Sequence, residues 1–485
     1  LFAENKAVQI RRELIKKITQ LFMRDEFESK ADRIPIEMFP KNSESPRCCI
    51  YKARAIVKYR LMALLGFGDE EETDELTPLT YYYSKALVDG NITHPLLTVI
   101  DEACSSCVKI NYFATNACRG CVARPCISVC PRDAIHINAG QSVIDHKKCI
   151  NCGKCMKACP YHAIVYIPVP CEEACPVNAI SKNSHQKECI DFDKCIYCGK
   201  CINKCPFGAI MEKSQLIDVL DAVKSGKKTI AMLAPSVMGH FDAPLEKIIA
   251  AVKKTGFYDA IEVASGADLT SEHEAHEFIE RIKNGEKFIT SSCCYSYIEL
   301  IDKHIPSLKK YFSTTKTPMI FAAELVKKEF PDAVIVFVSP CVSKKSEALK
   351  SGAVNFVINI EELGAVMEAL EIAPNDCEET PVKNPASPRG RGFAAAGGVK
   401  AAMDAVINKE DGAPEMIPAY INGLSRQTIR ELKNYAENGC GQSNFIEVMS
   451  CEGGCVNGPC VINPPHIAQR KFKEFIGPDN EKIKI

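Results

Sequence analysis

Apolar positions recur with helical spacing from Val8 to Phe22 and again from Ala53 to Leu65, and a polar, proline-containing stretch from Pro35 to Pro46 separates the two runs. A stripe of that period buries one face of a helix, so residues 1–103 are expected to form a helical N-terminal lobe. The acidic run from Asp69 to Asp74 is short and internal, which fits a solvated loop better than a binding tail. Beyond residue 214 the pattern changes. Strand-like apolar runs at Lys228–Ala234, Tyr258–Ala264, Ala333–Ser339 and Phe445–Ser450 alternate with helical patterns at Leu245–Lys253, Glu272–Ile282 and Ile360–Leu370. Such alternation predicts α/β layers with mainly parallel sheets over residues 214–485. The Pro-, Gly- and charge-rich stretch from Pro381 to Gly392 reads as a surface loop.

Residues 104–213, between these regions, are organised by cysteine. The 485-residue chain has 27 cysteines, and in this section they recur at two- and three-residue spacings, often before proline. A small secreted protein would use them for disulfides, but this spacing in a large chain points to metal. Zinc usually takes two C-x2-C pairs, whereas C-x2-C-x2-C with a following C-P turns three soft thiolates toward one iron–sulfur cube. The length suggests two or three domains. With 60 basic and 61 acidic residues the net charge is −1, which gives no global field for nucleic acid or anionic lipid. No apolar run reaches membrane-spanning length and the start lacks a secretory pattern, so the expectation is no nucleic acid, no membrane and a cytoplasmic location.

Cys118-x2-Cys121-x4-Cys126-x3-Cys130-Pro131 and Cys149-x2-Cys152-x2-Cys155-x3-Cys159-Pro160 resemble the two halves of a bacterial two-cluster ferredoxin, an α+β unit. There the fourth cysteine of each half serves the other cluster, which groups Cys118, Cys121, Cys126 and Cys159, and likewise Cys149, Cys152, Cys155 and Cys130. A second unit is split. Cys195, Cys198, Cys201 and Cys205 form a complete half, Cys171 and Cys175 an incomplete one, and the missing pair stands upstream as Cys104 and Cys107. If the first unit is inserted into the second, one cluster takes Cys195, Cys198, Cys201 and Cys175, and another takes Cys104, Cys107, Cys171 and Cys205. In the alternative, Cys104 and Cys107 are free thiols and only three clusters form; Cys189 has no vacancy to fill.

Three later motifs offer four more thiolates: Thr290-Ser291-Ser292-Cys293-Cys294, Ser339-Pro340-Cys341-Val342-Ser343-Lys344, and Glu447-Val448-Met449-Ser450-Cys451-Glu452-Gly453-Gly454-Cys455. As an ordered set they resemble the signature loops of [FeFe]-hydrogenases, a resemblance covering about residues 104–465. It implies an α/β hydrogenase catalytic domain of two lobes. It also implies an H-cluster: a [4Fe–4S] cubane on Cys293, Cys341, Cys451 and Cys455, bridged through Cys455 to a two-iron centre with CO, cyanide and azadithiolate. Ala234-Pro235-Ser236 resembles a turn packed on a diatomic ligand, Lys344 a donor to cyanide, Met449 a neighbour of the bridging carbonyl, and Gly397-Gly398 a close backbone approach at a helix start. Outside the set, each of these would be read as a surface lysine, a core methionine or a helix entry.

The resemblance also implies a proton path through Glu274, Ser313, Glu277 and Arg281, since buried hydrogen chemistry needs groups within hydrogen-bond reach. Where the family has a thiol before the first cluster ligand, this reading finds Ser292, with Cys294 as a displaced thiol; that points to a divergent subgroup. Cys460 is another thiol close by in sequence. The implied activity is reversible interconversion of dihydrogen with protons and electrons in anaerobic hydrogen metabolism. A ferredoxin or flavodoxin would be the electron partner and hydrogenase maturation proteins would install the two-iron centre. The alternatives are a low-turnover hydrogen or redox sensor, and a non-catalytic iron–sulfur assembly factor.

Overall fold

The computed structural model describes residues 5–45, 47–90, 92–107 and 112–477. The N-terminal section is helical, with longer helices at Lys6–Met23, Ile50–Leu64 and Leu79–Asp89. The first starts where the Asn5 side chain accepts from the Ala7 N–H, and it buries the stripe Leu14, Ile15, Ile18 and Phe22. Its partner is the helix Ile360–Ala369 of the C-terminal section. Arg12 Nε meets Glu361 Oε1 at 3.0 Å and Arg11 takes the other carboxylate oxygen, so this docking is held by charge as well as by apolar contact. Leu14, Ile18 and Leu61 share one core with Ala209, Met211 and Leu216, and with Ala365 and Val366. This core therefore runs across both expected boundaries, at residues 103 and 213.

The cysteine-dense section contains two nested units. In the inner one, strands Tyr112–Ala114 and Ile164–Tyr166 pair antiparallel around the hairpin Ile135–Asn138 with Gln141–Ile144. In the outer one, Leu97–Val99 pairs antiparallel with Ile210–Glu212, and the hairpin is Ile180–Lys182 with Glu188–Ile190. Each unit is thus a pair of terminal strands plus a hairpin, and the inner unit interrupts the outer one. Pairing of the strand before Cys104 with the strand after Cys205 brings these two sequence-distant cysteines into one core.

The C-terminal section is built on two parallel sheets. One has the order Asp259–Glu262, Thr229–Leu233, Val334–Ser339, Phe356–Asn359; the other has the order Ile289–Thr290, Phe445–Met449, Pro418–Asn422. Fully buried runs such as Thr229–Leu233 and Phe445–Met449 suit parallel strands covered on both faces. The expected helix over Glu272–Ile282 extends back to Ala264. Its first turns carry small residues because the helix Pro318–Glu329 crosses there; a Cβ on Gly266 would lie 2.2 Å from the Pro318 carbonyl. That close crossing takes Ala264 out of the expected strand.

In open α/β sheets ligands collect beyond the carboxyl ends of the strands. Ala234-Pro235-Ser236, Cys293-Cys294, Cys341 and Cys451 all follow such ends, from both sheets.

Candidate functional site

Loops from the two sheets enclose a small, largely apolar cavity of about 90 Å³. Its walls include Ala234, Pro235, Ser236, Ser339, Lys344 and Cys455, with Cys293, Cys294 and Cys341 also reaching it. The third loop is pressed onto its neighbour: Gly454 has φ +99°, and a Cβ there would lie 2.4 Å from the Ala394 carbonyl.

None of the 27 cysteines is in a disulfide. Around the cavity, every pair among Cys294, Cys341, Cys451 and Cys455 is close enough to interact electrostatically. Burial and these mutual interactions push Cys455 up to about 12 and Cys451 well above the usual thiol range. Cys293 also lines the cavity and interacts with Cys294 and Cys455, but Glu274 acts on it most strongly and Glu447 also acts on it. It packs beside Ala267, Phe278 and Phe393. This departs from the expectation that Cys293 joins Cys341, Cys451 and Cys455. The reason is local. Cys294 is extended (φ −91°, ψ 105°) at the N-cap of the helix Tyr295–His304, and successive side chains in extended backbone point to opposite sides. The second cysteine turns toward the thiol group, and the first toward the helix that bears Glu274.

Glu274 is fully buried, and its Oε1 accepts the Ser292 backbone N–H at 2.8 Å. Burial raises its pKa to about 7, against the pull of that N–H and of the nearby Ser313 and Ser292 hydroxyls. One helical turn on, Glu277 is closer to solvent. Burial works to raise it, but N–H and O–H donors from Thr314, Ser313 and Thr315, together with Arg281, outweigh burial and hold it below the usual range. Ser313 Oγ donates to Glu277 at 2.8 Å, and Arg281 reaches Glu277 at 3.0 Å and the Phe312 carbonyl at 2.9 Å. The structure thus gathers all four expected relay residues, and Cys293 stands at the inner end. The Ser292 hydroxyl is buried beside Glu274.

Lys344 is mostly enclosed at the cavity wall, donating to the Cys293 carbonyl at 3.3 Å and to Glu347. Burial opposes its charge, but Glu347 more than compensates and keeps the ammonium protonated. An ammonium has three donors, so one remains for a group in the cavity. Glu347, itself held by Thr317, is a functional neighbour that sequence reasoning missed; its place three residues after Lys344 on one helix face was the available signal.

Two expected cofactor contacts sit elsewhere. Met449 is core, packed with Phe278, Phe393 and Met403, and it does not line the cavity. Gly397 and Gly398 do start a helix, Gly398–Ile407, but its free N–H groups are taken by Glu447, which accepts from Gly397 at 2.6 Å and Lys400 at 2.9 Å. A carboxylate at a helix N-terminus satisfies donors there and complements the dipole. Cys460 is also outside the cavity, buried near Arg11, Lys345 and Glu212.

Away from the cavity, Cys118, Cys121, Cys126 and Cys159 line a single cleft. Cys155 interacts with Cys149 and Cys152, and Cys130 packs in the same core. Cys201 interacts with Cys198, Cys195 and Cys175. Cys107 interacts with Cys104 and Cys205, and Cys171 with Cys205, so the pair upstream of the inserted unit does meet the far end of the outer unit. Cys198 also senses Cys341, so this set abuts the cavity.

A fit with iron–sulfur groups can be judged from the donors. Thiols raised this far, with Lys200 the cation that acts most on Cys451, need a cationic centre to be thiolates. Ser236 and Ser450 hydroxyls are buried without partners beside them. The residues present fit such a group, and together the fold and its thiol sets define an iron–sulfur redox protein.

Comparison with known proteins agrees. Residues 227–459 match the family described as iron only hydrogenase large subunit, C-terminal domain. Residues 142–165 match a 4Fe-4S binding domain and residues 165–216 the LdpA Fe-S cluster-binding domain. Iron hydrogenase 1 of Clostridium pasteurianum is 30% identical over 391 residues, covering 68% of this chain and 66% of that protein. The periplasmic [Fe] hydrogenase large subunit of Nitratidesulfovibrio vulgaris is 27% identical over 306 residues, 51% of this chain and 72% of that one. A solved structure of HydA(deltaEFG), on stepwise [FeFe]-hydrogenase H-cluster assembly, is 20% identical with a TM-score of 0.43, covering 53% of this chain and 86% of that one. The chain spans about two thirds of the length of the first relative. It is a homologue of the [FeFe]-hydrogenases and carries the C-terminal domain of their large subunit. No helix among the described residues is long and apolar enough to cross a membrane.

Proposed function

We propose that the chain is an [FeFe]-hydrogenase interconverting dihydrogen with protons and electrons, its electrons relayed by four [4Fe–4S] clusters to and from a ferredoxin or flavodoxin in the cytoplasm. The observation that carries this reading is the meeting of four partly buried thiols with a cavity that also holds Lys344 and the Ala234–Ser236 turn. In this reading the cubane is held by Cys294, Cys341, Cys451 and Cys455. Cys455 is the bridge, as the family resemblance implies, and it lines the cavity. When bound, the two-iron centre, installed by maturation proteins, supplies the hydrogen chemistry.

The chain's own residues would do the rest. Lys344 offers a charge-assisted donor to a cyanide in a dry pocket, worth more there than in water. The Ala234–Ser236 turn closes one wall and excludes solvent. Protons are held and passed by Glu277, Ser313, Glu274 and Cys293. Glu274, at about 7, gains and loses a proton with little cost near neutral pH.

The sensor reading leaned on a hydroxyl at the end of the relay. A thiol at Cys293, beside Glu274, removes that support. An assembly factor would have no use for a buried relay ending at a cavity. Infrared spectroscopy of the matured protein tests the proposal: CO and cyanide bands together with hydrogen evolution are expected, and their absence from protein with full cubane occupancy would refute it.

A further inference from the structure

The two ferredoxin-like units differ sharply in charge. The inner unit, residues 112–166, carries seven Lys and Arg against two Asp, whereas residues 167–216 carry six of each sign and the whole chain 60 against 61. All seven cations are exposed, and among the described residues none is in an ion pair. Elsewhere lysines are commonly tied up, as Lys303 is with Glu299 or Lys182 with Glu188. Exposed apolar side chains concentrate in the same place: of seventeen large ones that are exposed among the described residues, seven fall within 113–167, about a ninth of the chain. Val122 is 98% exposed and Ile150 57%.

These features coincide with the thiols. Val122 stands between Arg119 and Arg124, in the loop that lines the Cys118, Cys121, Cys126 and Cys159 cleft. Ile150 follows Lys147 and Lys148 in the loop leading to Cys152, the most exposed thiol of its set, and Lys154 comes next. Apolar contacts ringed by unpaired cations, directly over cluster ligands, are what a transient electron-transfer interface requires. The occupant they fit is acidic.

We propose that the inserted unit, residues 112–166, is the docking surface for an acidic one-electron carrier protein, which exchanges electrons with the clusters of this unit through the loops around Val122 and Ile150. This deepens the functional reading by naming the port. It rests only on cluster binding by the unit, so it can fail or hold independently of the hydrogen chemistry. In the step itself the reduced carrier loses one electron and one [4Fe–4S] cluster gains it, with no bond made or broken.

The test uses the full chain with its [4Fe–4S] clusters reconstituted and without the two-iron centre. Reduced acidic two-cluster ferredoxin is mixed with it, and the bleaching of the chain's clusters is followed by stopped flow. Lys147→Glu, Lys148→Glu and Lys154→Glu combined should lower the second-order rate constant by about tenfold or more at low ionic strength. The difference should close near 1 M salt, where screening acts over about 3 Å. Iron content and photoreduction by a neutral deazaflavin should be unchanged. An unaltered rate with the ferredoxin would overturn the proposal, as would an equal loss from reversing the exposed Lys327, Lys328 and Lys433 on the C-terminal section.

Discussion

Exchanging each of the adjacent cysteines Cys293 and Cys294 for serine separates cluster binding from proton delivery. The geometry makes unequal forecasts. Cys294 interacts with Cys341, Cys451 and Cys455, whereas Cys293 interacts most strongly with Glu274 and, of those three thiols, with Cys455. Serine has no accessible oxyanion near neutral pH, so Cys294→Ser removes a ligand outright. With five cubanes, anaerobically reconstituted protein should hold about twenty irons, and this variant should fall to about sixteen. It should then fail to show CO and cyanide bands after maturation, because the two-iron centre has no cubane to join. Cys293→Ser should keep about twenty irons and the infrared bands. Its hydrogen turnover should drop by about 10²- to 10⁴-fold, the usual worth of a positioned proton-transfer group. The reverse result, with iron lost in Cys293→Ser and retained in Cys294→Ser, would refute the assignment.

Glu274→Gln should leave iron content intact and cut turnover to a similar degree, and it should abolish a pH inflection near 7. The sign follows from the raised pKa: protonated Glu274 delivers protons below about 7, so evolution should decline and uptake improve as pH rises through that value in the wild type. Replacing Cys104 and Cys107 together by serine should lower iron by about four atoms per chain and leave the infrared spectrum in place; an unchanged iron content would mean that the fourth cluster does not form. Lys344→Ala should hinder stable uptake of the two-iron centre, since a cyanide in a dry pocket loses its charged donor. Normal infrared intensity and turnover in this variant would exclude the contact.

Much of the architecture could be read from the chain because its signals are local. Periodicity located the helices Lys6–Met23 and Ile50–Leu64 and the buried strands Thr229–Leu233 and Val334–Ser339 to within a few residues. Strands Phe356–Asn359 and Pro418–Asn422 went unnoticed because each is only four or five residues long, one running straight into a helix and the other beginning with proline. For strands so short, burial by neighbours decides the conformation more than the residues do. The meeting of Cys107 with Cys205 lay within reach of cysteine spacing alone. Its structural cause, antiparallel pairing of Leu97–Val99 with Ile210–Glu212, did not, since nothing in either three-residue strand names its partner.

The choice between Cys293 and Cys294 shows a limit of a different kind. Both are thiols, both are partly buried, and both border the cavity, so neither composition nor burial distinguishes them. What separates them is one step of extended backbone, set by where the helix Tyr295–His304 begins. A one-residue shift in that start would exchange their roles, sending the relay thiol to the cubane and the ligand to Glu274. The same kind of dependence removed Gly397-Gly398 from the cofactor: their helix start looks open until Glu447, fifty residues on in the chain, is seen to fill it. Site residues are therefore most legible where a ligand set repeats a spacing, and least where direction rather than identity confers the role. This is why the pair of single serine variants discriminates more sharply between the two assignments than any further sequence match could.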